Sequence, residues 1–279
     1  ETIVGEAVYN CEEQELALTS RALQKVIALV PAIEGLPLTE KMGVALEMGV
    51  AFVEQGLRMR NDLKVIGGTV EQQAFRLLGR PATIDDRARL VQLIADAGTR
   101  NVPFVLSVVL DDAAESVFDL LWMSELMALF PYLQVNLLVN PAQISINLSW
   151  KMLAHIFEAS CFKSLASRVG RQLRLIETYC AFISFQTAYL PDRARAAIDS
   201  ADIVYIKGAN FFETCQIPEK KSFHAFIVYG PVSRCYTGLQ DHDAVFVFFF
   251  EGTPGYVHHP DRAKIKTLKS IVIRHDKMS

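Results

Sequence analysis

The stretch Phe104-Val-Leu-Ser-Val-Val-Leu-Asp111-Asp112-Ala-Ala-Glu115-Ser-Val-Phe-Asp119-Leu decides how this chain is read. Its first seven residues form an almost unbroken aliphatic and aromatic run, the pattern of a parallel strand covered on both faces. The run stops at an acidic turn, and a helical stretch follows from Ala114 to Leu129. Buried strand, polar turn and helix are the repeating unit of a doubly wound α/β sheet. In such sheets ligands bind outside the carboxyl ends of the strands. The residues to watch are therefore those just after each strand.

Outward from this unit, Leu133 to Val139, Phe182 to Phe185, Ile203 to Ile206, Ala225 to Val228 and Val245 to Phe250 read as further strands. Pro191 to Ser200 reads as helix, and Phe157 to Thr178 as a mixture of helix and loop. Upstream the texture is helical. Leu16, Leu18, Leu23, Val26, Ile27 and Val30 keep helical spacing until Pro31 closes the segment. A second helix runs from Lys41 to Arg60, with Gly43, Gly49 and Gly56 permitting close packing. Gly67-Gly68 marks a break, and Thr83 caps a helix starting near Asp85. No strand pattern precedes about residue 102. The expected architecture is a doubly wound, mostly parallel sheet with helices on both faces, plus an N-terminal all-helical domain. The boundary falls at 1–100 and 101–279.

Composition narrows the function classes. The chain has 279 residues, 51% hydrophobic and 21% charged, with net charge −3, so disorder is excluded. A near-neutral total gives no field to attract nucleic acid or an anionic membrane. Five cysteines without a C-x-x-C pair argue against a disulfide framework or zinc cluster, and point to reduced thiols in a cytoplasm. Apolar stretches such as Val245 to Phe250 are too short to cross a bilayer, and no signal-peptide pattern opens the sequence. The Asn147-Leu-Ser149 sequon carries no meaning in a cytosolic setting. No G-x-G-x-x-G, G-x-x-x-x-G-K-[ST], H-E-x-x-H or G-x-S-x-G string occurs, which weakens the dinucleotide, nucleotide, zinc-protease and serine-hydrolase readings.

Two strand-end clusters carry chemistry. Asp111, Asp112 and Glu115 open a helix whose N-terminus favours negative charge. They read either as helix caps or as a hard-cation site, since Mg²⁺ and Mn²⁺ prefer oxygen ligands. Lys207-Gly208-Ala-Asn210-Phe-Phe-Glu213 places a cation at the end of an apolar strand. It reads as an anion contact or as a lysine snorkelling at a sheet edge. Elsewhere, Asp241-His242-Asp243 reads as a solvated turn at the end of the sheet opposite the site. His258-His259 follow the 251–256 loop, which comes after a strand, and read as surface. His155 reads as a packed core histidine, the phenylalanines at 246–250 as core strand, and the basic tail from Lys264 to Arg274 as a solvated face.

In this order the motifs resemble the damage-control phosphatase family, long filed as a domain of unknown function, one human member of which is also described as a carboxyl methyltransferase. The matching elements are Asp111 through Leu120, Ile144-Ser-Ile-Asn147-Leu-Ser149, and Lys207 through Glu213, with Arg234-Cys235 similar to a following Lys-Cys pair. The resemblance spans roughly residues 100 to 240. It implies a divalent metal (Mn, Mg, Fe, Co or Ni) held by Asp111, Asp112 and Asn147, and a small, anionic, phosphorylated substrate. The family pattern has Asn where this chain has Asp112, and Asp where it has Asn147, so the summed charge is unchanged. Ala114 replaces a glycine, and Asn210-Phe211 stand where Gly-Asn is usual.

The implied mechanism is metal-dependent phosphomonoester hydrolysis. Asp111 serves as nucleophile or orients water, Lys207 balances and binds the anion, Glu115 is a catalytic group touching the substrate or a metal-bound water, and Gly208 and Asn210 contact substrate. Two alternatives stand. One is other metal-dependent chemistry, including methyl transfer, on a small carboxylate or amino-acid-like substrate in a specialised pathway. The other is a non-catalytic small-molecule-binding protein. No partner macromolecule or oligomeric state is implied.

Overall fold

The computed structural model describes residues 2–56, 81–143, 146–178, 189–214 and 220–249. Among these residues, seven strands form one sheet: β1 (Ile84–Asp85), β2 (Phe104–Val109), β3 (Leu133–Val139), β4 (Leu173–Glu177), β5 (Ile203–Lys207), β6 (Ser222–Ile227) and β7 (Ala244–Phe249). Their order is β1-β7-β6-β5-β2-β3-β4. β2 through β6 run parallel, while β7 pairs antiparallel to β6 and parallel to β1.

The strands' apolar runs alternate between two cores, because successive side chains leave a strand on opposite faces. Leu106, Val108, Ile203 and Tyr205 enter one core, and Val109, Val204 and Ile206 the other. The first core is the larger. It packs against α4 (Ala113–Leu129), a mostly apolar helix buried almost all round, with Glu115 and Asp119 buried among its apolar residues. α1 (Thr2–Ile33) and α2 (Leu38–Gly56) lie on the outer side of α4, and their buried residues belong to the same continuous core. α3 (Arg87–Thr99) and α5 (Trp150–Glu158) join that layer, with α6 (Lys163–Ala166) beside α5. α7 (Asp192–Asp199) covers the second core, joined by Phe211 of α8 (Ala209–Thr214). α9 (Gly230–Thr237) follows β6.

The α/β architecture with N-terminal helices is as the sequence pattern predicts, and β3 has the expected bounds. Several details differ. β1 is a strand where none was expected before residue 102, and it displaces the cap foreseen at Thr83; Asp86 holds the N-cap position of α3. β4 lies in a segment read as helix and loop. Its sequence Leu-Arg-Leu-Ile-Glu alternates like a half-exposed edge strand, unlike the solid apolar runs of β2 and β3. Pro31 sits inside the last turn of α1, which continues to Ile33. The strand expected at 182–185, the break at 67–68 and everything beyond 249 lie outside the described residues.

One further expectation is qualified. Glu12–Ile33 is long and apolar enough to cross a membrane by length and composition alone. Here one face of it, Leu18, Ala22, Val26, Leu29 and Ile33, is buried in the core.

Candidate active site

The winding of the sheet reverses between β2 and β5. From β2 the chain steps outward to β3 and β4, crosses back to β5 on the other flank of β2, and steps outward again. The connections leaving β2 and β5 go to opposite faces, which opens a crevice at their carboxyl ends. Asp111 and Asp112 enter it from β2, Lys207 and Gly208 from β5, and Asn147 from the loop after β3.

Backbone geometry fixes these positions closely. Gly208 has φ +100, a left-handed conformation, and a Cβ there would overlap the Asp111 carboxylate. Its N–H donates to Ala225 O at 3.0 Å, so that donor is engaged in the sheet and does not face a ligand. The lack of a side chain at Gly208 is what leaves room for the Asp111 carboxylate.

Asp112 and Asn147 form an isolated antiparallel bridge. The bonds flanking it are Ala113 N–H to Ile146 O and Leu148 N–H to Asp111 O, both 2.8 Å. This makes Asp112 and Asn147 a non-hydrogen-bonded pair, the kind whose side chains approach most closely. Ile144 and Ser145 of the same motif lie outside the described residues.

Lys207 shares the parity of Tyr205, so it leaves β5 on the α4 side of the sheet. There its Nζ, fully buried, donates to Glu115 and, at 2.9 Å, to Asp119 Oδ2. Glu115 and Asp119 are four residues apart and share one helix face. Burial pulls the lysine down, but Asp119 and Glu115 outweigh it and hold its pKa above the ordinary lysine value. The ammonium foreseen as an anion contact is thus already neutralised. Asp119 stands in the quoted motif without an assigned role, and its i, i+4 spacing from Glu115 is the signal that identifies it.

A further carboxylate comes from far upstream. Glu15 of α1 is 2% exposed, and its Oε1 accepts from Ala114 N–H at 3.2 Å. It occupies the buried stripe Glu15, Thr19, Ala22, Val26, Leu29, Ile33, whose 4-3-4-3-4 spacing is visible in the sequence. A glutamate on such a stripe was the missed clue.

Carboxyl groups crowd together here, and burial opposes their ionisation. Burial, then Glu115, pushes the Asp111 carboxyl up to about 8, with Lys207 pulling the other way. Burial and Asp111 hold Asp112 well above the usual carboxylate range. Burial raises Glu115 as well, against the pull of Lys207, and raises Glu15 to about 7. Among the described residues, no group of three or more His, Cys, Asp or Glu is placed to hold a metal ion. A cation would therefore take its third protein donor from the amide of Asn147. Asp111, Asp112 and Asn147 all offer oxygen, which suits a hard divalent ion, and the unrelieved carboxylates favour one.

Other candidates fall away from this cluster. Asn210 lies half-buried in the short α8, and Glu213 accepts from Ser233 N–H at 2.8 Å. Arg234 pairs with Asp241 at 2.8 Å. His155 is half-buried and lies 2.9 Å from Ser20 Oγ, so it is not the core histidine expected. The turn at 241–243 lies at the same end of the sheet as the crevice. Because β7 is antiparallel, its start sits beside the end of β6, with His242 N–H donating to Val228 O at 2.8 Å. By the same logic β7 ends beside Ser222 at the amino edge. The expectation that the 241–243 turn lies at the end of the sheet opposite the site is thereby corrected.

Fold and site together define an α/β protein with a buried acid-rich cluster at a topological switch point. No protein-family model matches the chain, and no curated protein does. Its fold is that of a solved DUF89 family protein from Pyrococcus horikoshii: 15% identity, TM-score 0.64, covering 83% of this chain and 72% of that one. A Staphylococcus aureus protein, provisionally described as a caffeoyl-CoA O-methyltransferase, aligns at 12% identity over 64% of this chain and 72% of its own. Its TM-score is 0.27, and no argument rests on it.

Proposed function

We propose that this protein is a metal-dependent phosphomonoester hydrolase acting on a small phosphorylated metabolite in a cytoplasm. The observation that carries the reading is the pairing of Asp112 with Asn147 beside Asp111 at the switch point, while Lys207 is already taken by Glu115 and Asp119. A crevice with this charge accepts a cation far more readily than an anion. A phosphorylated substrate enters it in company with a divalent ion. Likeness of fold to a DUF89 protein supports the assignment.

In this reading Asp111, Asp112 and Asn147 hold the ion, which when bound polarises a phosphoryl oxygen as a Lewis acid. Asp111, held against the side-chain-free face of Gly208, attacks the phosphorus or orients the attacking water. Lys207 pairs with Glu115 and Asp119 and holds them in place, and its charge offsets part of the repulsion that Asp111 and Asp112 feel.

The test is phosphate release from a panel of sugar phosphates with Mn²⁺ or Mg²⁺. Asp111→Asn is expected to lower it by about 100-fold or more, with an unchanged circular dichroism spectrum. Asp241→Asn, in the turn at the same sheet end, is expected to stay within about twofold of the parent. If the protein binds Mn²⁺ yet releases phosphate from none of the panel, the hydrolase assignment fails and other metal-dependent chemistry takes its place.

A further inference from the structure

Helix α4 has an unusual start. Its N-cap residue, Asp112, has the extended backbone of a capping residue (φ −64, ψ 140), yet its side chain makes no cap hydrogen bond. Aspartate is among the best capping residues, and an unmet N–H at a buried helix end is costly. Two of the orphan donors are met in other ways: Ala113 N–H goes to Ile146 O, and Ala114 N–H to the buried Glu15 carboxylate. Glu15 thus does from α1, 99 residues away, what Asp112 would do locally.

We infer that Glu15 is a positioning residue: by capping α4 it keeps the Asp112 carboxylate free for the crevice, so that the N-terminal helix is part of the site. This rests on the proposed role of Asp112 as a metal ligand, and deepens it. Without Glu15, Asp112 turns back onto its own helix and the ion loses a donor.

The experiment compares Glu15→Gln, which keeps an oxygen acceptor, with Glu15→Met, which keeps the volume and removes the acceptor. Both remove the charge, so electrostatic relief cancels between them. With Mn²⁺ alone as probe, Glu15→Met is expected to weaken binding by about tenfold or more, and Glu15→Gln to stay within about threefold of the parent. Equal binding by Glu15→Met and the parent overturns the inference.

A second readout needs no metal. In chelator, Asp112→Ala is added to each variant. It should lower the melting temperature by about 2–4 °C more in the Glu15→Met protein, where Asp112 has become the cap, than in Glu15→Gln. Equal effects in the two backgrounds overturn the capping exchange. If the parent itself binds no Mn²⁺, the ligand role of Asp112 fails, while the melting comparison still decides who caps α4.

Discussion

Two acidic turns, Asp111-Asp112 and Asp241-His242-Asp243, sit at the same end of one sheet, and they do opposite things with their carboxylates. In the second, Asp241 Oδ1 accepts from Gly230 N–H at 3.0 Å while Oδ2 pairs with Arg234, and Asp243 accepts from Gln240 N–H at 2.9 Å. Each of those acids is engaged in building its own turn. In the first, the backbone is satisfied by other groups, Ile146 O and Glu15 among them, and burial raises both carboxyls. Position at the sheet edge does not separate a candidate site from a turn. What separates them is whether local structure already uses the acids.

The sharpest break in this comparison lies in the counter-ions. Lys207→Met leaves Glu115 and Asp119 buried together without their cation, and should cost about 3–5 kcal/mol, read from the urea midpoint. Arg234→Met removes an exposed pair and should cost less than about 1 kcal/mol. Comparable losses at the two positions would end the distinction. A smaller contrast concerns two left-handed glycines. Gly208→Ala drives a methyl into Asp111, whereas Gly230→Ala (φ +83) meets nothing within 4 Å. Both carry backbone strain of about 1–3 kcal/mol, so thermal melts should show the larger loss at Gly208, accompanied by weaker Mn²⁺ binding there alone.

The mildest effect is a pH slope. Asp111 binds its proton more tightly folded, at about 8, than unfolded, near the ordinary aspartate value of about 4. Protonation therefore favours the fold. The stability it lends is complete below about pH 4 and is lost as pH rises through about 8. Metal-free protein should melt lower at pH 8.5 than at pH 6, and Asp111→Asn should flatten the slope. A slope unchanged in that variant would show that Asp111 is not the group responsible.

Much of this was legible before any coordinates. β2, β3 and β5 are buried on both faces, so their apolar runs announce them, and the acids and lysine that follow inherit a location. β7 has an equally apolar run, but nothing local encodes a strand's direction; that comes from its pairing with β6. β4 and β1 are short or alternating edge strands whose pattern is weak. Asp119 was within reach of the sequence through its i, i+4 spacing from Glu115. Glu15 was half-visible: its buried stripe is periodic, but the helix it caps lies 99 residues away. The missed features are those set by tertiary pairing.

The bridge between Asp112 and Asn147 has one more consequence. Main-chain bonds on either side hold the two side chains shoulder to shoulder, whatever those side chains are. The scaffold therefore specifies a pair of adjoining seats, with the charge free to occupy either. An aspartate and an asparagine can trade places across it without moving the oxygens' anchoring atoms or altering the total charge.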